Sequence, residues 1–77
     1  MRFYGYSRKE VGKGLHEMRE VTVSANPIVL RAMADFLRTC AEAIEKDPMR
    51  WDHEHFTPPD GTAGQHTPSF IVTNPRK

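Results

Sequence analysis

The sequence predicts an α+β fold: a two-layer sandwich in which one long helix packs on a small antiparallel or mixed sheet, in the order β-β-α-β-β. Three observations carry this. A strongly amphipathic stretch is opened by Asn26-Pro27 and closed by Asp47-Pro48; alternating β-formers precede it; and two short β-rich runs, Trp51 to Phe56 and Ser69 to Thr73, follow it. With 77 residues the chain has room for one domain, residues 1–77. That is near the size at which one core is only marginally stabilising, so a homodimer or a bound partner would add stability.

Residues 2 to 7 hold three aromatics around Gly5, which suits a first strand. Arg8 to Gly14, with Arg8, Lys9, Lys13 and two glycines, reads as a mobile basic connection. From Leu15 to Ala25 a second strand is expected, with Val21, Val23 and Ala25 on one face and Glu20, Thr22 and Ser24 on the other. Met18 breaks that parity, so either the strand bulges near Arg19 or Met18 covers the opposite face.

The helix is expected over Pro27 to Lys46, about 30 Å at 1.5 Å per residue. Asn26 is a favoured N-cap and Pro27 fits the first helical position. Leu30, Met33, Phe36, Leu37, Cys40, Ala41 and Ile44 form the expected apolar stripe. On the solvated side Arg31 can reach Asp35, Arg38 can reach Glu42, and Glu42 can reach Lys46. Thr57 to Thr67 is dense in turn residues and reads as a flexible loop, and residues 74–77 as a frayed tail.

Eleven Lys and Arg against ten Asp and Glu remove the strong electrostatic case for nucleic acid. The lone cysteine, Cys40, argues for a reducing compartment. No apolar run suits a signal peptide or a membrane span, so the expectation is a soluble cytoplasmic protein with no membrane partner.

Chemistry is concentrated in Trp51-Asp52-His53-Glu54-His55-Phe56. In a strand, Trp51, His53 and His55 share one face and Asp52, Glu54 and Phe56 the other. The two imidazoles then lie about 7 Å apart and could converge on a zinc-like ion, although a structural site wants four ligands. The plainer reading is a polar edge strand whose histidines pair or meet a partner protein. One helix can shield only one sheet face, and Phe3, Tyr4, Tyr6, Trp51 and Phe56 are too many aromatics to hide beneath twenty helical residues. The other face therefore calls for a partner, with Tyr4, Tyr6 and Trp51 as candidate anchors and His53, Glu54 and His55 as candidate polar contacts.

Three segments together, Arg19 to Pro27, Leu30 to Leu37 and Asp52 to Phe56, resemble the immunity protein 32 family of bacterial polymorphic toxin systems. The resemblance runs from Val21 to the final Ile71-Val72 strand and rests on the order and spacing of the strand, the Pro-initiated helix and the His-x-His pair. It implies a small cytoplasmic protein that binds and neutralises a cognate protein toxin, with no cofactor and no enzymatic activity.

Two other classes compete. Covalent catalysis would fall to Cys40, which sits on the apolar stripe where it is expected to be inert. Acid–base work by His53 or His55 with Glu54 is opposed by their alternation across the strand, and a metal-assisted hydrolase alternative needs a third ligand from His16, Glu17 or His66. A weak nucleic-acid-binding module would stack bases on Tyr4 and Tyr6 and neutralise phosphates with Arg2, Arg8, Lys9 and Lys13.

Overall fold

The computed structural model describes residues 1–59 and 68–76. Its elements are β1 (Arg2–Gly12), β2 (Leu15–Ser24), α1 (Pro27–Lys46), β3 (His53–His55) and β4 (Ile71–Thr73). The α+β class and its order hold, and both pairings are antiparallel. The four strands form two separate ladders, β1–β2 and β3–β4, rather than one continuous sheet.

The first ladder is longer than its composition suggests. Arg8 to Gly12 continues β1, where a mobile connection was expected, and the chain reverses over Lys13 (φ 23°) and Gly14 (φ 85°). Positive φ at both central residues is what a two-residue hairpin turn needs to match strand twist. The charged stretch can be a strand because β2 answers it: Arg8 Nε lies 3.3 Å from Glu17 Oε1, His16 Nε2 lies 3.7 Å from Glu10 Oε1, and Ser7 Oγ is 2.7 Å from His16 Nδ1. The register steps from Tyr6↔Glu20 to Ser7↔Met18, which leaves Arg19 as the extra residue of a bulge. Of the two readings of Met18, the bulge is the one the structure adopts, and it returns Met18 to the face of Val21.

Helix α1 begins where the sequence places it. Asn26 accepts a hydrogen bond from the Val29 amide through Oδ1 at 2.9 Å, and Pro27 occupies the first turn. It ends at Asp47, whose amide donates to Ala43 O (3.1 Å) and whose carbonyl accepts from Arg50 and Trp51. The buried stripe is rotated from the expected one. Val29, Met33 and Cys40 are buried with Ala32, Phe36, Ala43 and Ile44 partly covered, whereas Leu30 and Leu37 stay 45% and 46% exposed. The apolar arc of α1 is wider than the two ladders cover, so one edge of it remains in water. The solvated face also pairs differently: Arg38 donates to Asp35 Oδ1 at 3.0 Å, and the three expected i,i+4 pairs do not form.

All four phenylalanines meet at the core. Phe3 of β1 stacks on Phe70 with ring centroids 5.4 Å apart; Phe36 of α1 lies 5.3 Å from Phe56 and 6.2 Å from Phe70; and Phe56 meets Phe70 edge-on at 6.3 Å. Of the five aromatics expected to be too many for the helix to cover together, Phe3 and Phe56 are absorbed by the core. Tyr4 and Tyr6 are not. The hairpin joins this core at its open end, through Met1, Phe3 and Ala25, and every residue from Tyr4 to Ser24 is exposed.

The expected frayed tail is corrected at Asn74, which is 2% exposed and the one buried polar residue among those described. Its Nδ2 donates to the carbonyls of Pro48 (2.8 Å) and Trp51 (2.9 Å), its Oδ1 accepts from the Arg76 amide (3.1 Å), and its own amide donates to Asp52 O (2.8 Å). Pro48 and Trp51 lie in the turn that leaves the helix, where carbonyls have no helical partner. A short polar side chain from the C-terminal strand satisfies two of them. The loop expected over 57–67 lies outside the described residues from residue 60 onward; before that, Pro58 is buried.

Replacing Asn74 by Ala strands two carbonyls away from water and is expected to cost about 2 to 3 kcal/mol in urea unfolding. Arg76→Ala, at an exposed side chain, is expected to change stability by less than about 0.5 kcal/mol.

Candidate functional site

The candidate residues fall into two patches. His53 and His55 lie on one face of β3, their rings in T-shaped contact with centroids 5.3 Å apart, and both are exposed. Alternation puts Glu54 and the buried Phe56 on the face toward α1. His53 Nδ1 is 2.7 Å from Asp52 Oδ2, and Glu54 accepts the His55 amide at 3.0 Å. Trp51 is half-buried, its backbone held between Asp47 and Asn74. The second patch is on the hairpin, where Tyr4 and Tyr6 are 55% and 60% exposed and the Arg19 guanidinium sits 5.3 Å above the Tyr6 ring. Among the described residues no hydrogen bond, ion pair or ring contact joins the tyrosines to the histidines.

The metal alternative finds little support in the geometry. Of the expected third ligands, His16 and Glu17 are engaged within the hairpin by Ser7, Glu10 and Arg8, and His66 lies outside the described residues. No group of three or more His, Cys, Asp or Glu among the described residues is arranged to hold an ion. Cys40 is buried, and desolvation pushes its thiol above the ordinary 9.0, with the Glu54 carboxylate adding to the shift.

A feature that the sequence reading did not anticipate lies between the two ladders. An open groove of about 610 Å³ runs between the inner face of the hairpin and the chain leading into β4. Phe3, Gly5, Met18 and Val21 form one side and Phe70 and Ile71 the other. The bulge at Arg19 creates it by turning Met18 inward, and Gly5 permits it. A Cβ on Gly5 would stand 2.5 Å from both Glu20 O and Met18 Cε. Those two residues, Gly5 amid aromatics and the parity-breaking Met18, were the signal in the sequence.

Exposed aromatics, an open apolar groove and a charged hairpin thus lie together on a small α+β domain. The comparisons narrow this to a family. The model of Immunity protein 32 matches residues 20–75, most of the chain, and the chain belongs to that family. No curated protein and no solved structure matches it. No helix among the described residues is long and apolar enough to cross a membrane.

Two outcomes follow. Gly5→Ala is expected to displace Met18 and destabilise the fold by about 1 to 3 kcal/mol, measured by thermal unfolding. Cys40, holding its proton more tightly in the folded chain, is expected to react with iodoacetamide at pH 8 at least about tenfold more slowly than in urea. Because the folded thiol titrates above the unfolded one, its contribution to stability is complete below pH 9.0 and falls as pH rises through the folded value.

Proposed function

We propose that this protein is an immunity factor that binds a cognate protein toxin inside the producing cell and blocks it by occupation, without catalysis. One observation carries the reading. In a chain of the Immunity protein 32 family, an apolar groove of about 610 Å³ stands open beside the exposed tyrosines of the hairpin. Neutralisation of this kind needs complementary shape and charge, and the uncovered surface offers both.

The groove has walls of two origins. Val21, Phe70 and Ile71 belong to the span shared with the family, whereas Phe3, Gly5 and Met18 precede it. The shared wall suits a common frame, and the hairpin wall suits discrimination between toxins. Residues 1–19 carry five Lys and Arg against two Asp and Glu, so the toxin surface that meets the hairpin is acidic around an apolar protrusion. Tyr6, braced by Arg19, serves as a rigid anchor at the margin. His53, Glu54 and His55 would supply polar contacts on the second patch.

The test is co-expression with the toxin domain encoded beside its gene, read as growth and as binding by calorimetry. Wild-type protein is expected to restore growth. Met18→Glu, which sets a carboxylate in the groove, is expected to weaken binding at least about a hundredfold, and Tyr6→Ala at least about tenfold, or 1.4 kcal/mol. A wild-type protein that neither protects nor binds would reject the reading, and one whose affinity ignores both substitutions would move the contact elsewhere.

A further inference from the structure

We infer that the exposed edge of the helix is a self-association surface, on which a second copy of this chain packs its own α1 in the antiparallel sense. The apolar arc of α1 continues past the residues that the ladders cover. Leu30, Ala34, Leu37 and Ala41 are all exposed, at spacings of four, three and four, roughly a quarter turn round the helix from Val29, Met33 and Cys40. That spacing is the seam of a two-helix contact, in which leucines fill the gaps and alanines let the backbones approach.

Charge selects the occupant and its direction. Along the solvent side of the seam the helix carries Arg31 in its first half, Arg38 near its middle, and Glu42 and Glu45 towards its end. Arg38 is held by its own Asp35 at 3.0 Å, whereas Arg31, Glu42 and Glu45 make no ion pair among the described residues. Reversed, the ends of such a strip are complementary. With Leu37 at the two-fold axis, Ala34 of one copy meets Ala41 of the other, Arg31 reaches Glu45 at both ends, and Arg38 lies beside its own counterpart with its charge held by Asp35. A parallel pair would instead set Arg31 against Arg31 and Glu45 against Glu45. Two leucines and two alanines per copy make a small contact, so the dimer is a weak one. The groove and the tyrosines are not part of the seam, and the inference does not rest on toxin binding.

Sedimentation velocity on the full chain, from about 1 μM to about 1 mM, tests it. A dimer that grows with concentration is expected. Because a two-fold contact counts each substitution twice, Leu37→Asp is expected to raise the dissociation constant at least about a hundredfold. Arg31→Glu should raise it about tenfold, and Arg31→Glu with Glu45→Arg should restore it. Circular dichroism of each variant checks that α1 is intact, which the exposure of these positions favours. A wild-type chain that stays monomeric up to the highest concentration overturns the inference, as does a dimer indifferent to Leu37→Asp. If a monomeric wild type loses toxin protection on Leu37→Asp, the seam belongs to the toxin and the inference is likewise overturned.

Discussion

The contact of four phenylalanine rings holds the molecule together. Phe3, Phe36, Phe56 and Phe70 come from the hairpin, the helix and the two flanks of the second ladder, so this cluster joins elements that share no backbone ladder. Ring pairs at these separations contribute about 0.5 to 1.5 kcal/mol each beyond the area they bury. With Val29 and Met33 behind them, they use the inner side of the only helix among the described residues. Little apolar cover remains for anything else, and the hairpin beyond Phe3, the outer faces of both ladders and the Leu30–Leu37 edge are left in water.

A polar device complements the apolar one. Asn74 ties the last strand to the turn after α1 by donating to the Pro48 and Trp51 carbonyls, and its amide bond to Asp52 extends the β3–β4 ladder. A three-residue ladder would be marginal alone. Closed at one end by Asn74 and at the other by the Phe56 amide on Phe70 O at 2.8 Å, it becomes a firm wall. That wall carries Phe70 and Ile71, so the buried asparagine supports the groove from a distance.

Cover is distributed unevenly over the chain. Burying every ring would add stability and leave no aromatic surface in water. Here the phenylalanines, which have no polar end, go inside, and the tyrosines, which can face water and still present a flat apolar body, stay out. The bulge at Arg19 serves both sides of the hairpin: it turns Met18 into the groove and leaves Arg19 over Tyr6.

Local chemistry was legible in the sequence by itself. Asn26-Pro27 and Asp47-Pro48 set the limits of the helix because capping and proline geometry act within a few residues, and His53 and His55 share a face because strand alternation is a backbone property. The bulge near Arg19 was visible in the broken parity of Met18. Tertiary structure alone decided which part of a broad apolar arc would be covered, because Leu30 and Val29 are equally oily and only the placement of the ladders separates them. It also decided that Arg8 to Gly12 would be strand, since those charges are tolerated only opposite Glu17 and His16, and that Asn74 would be buried, since the carbonyls it satisfies lie more than twenty residues away in the chain. Long-range partners of this kind leave no periodic trace in a single sequence, and the groove, built from both ends of the chain, is their product.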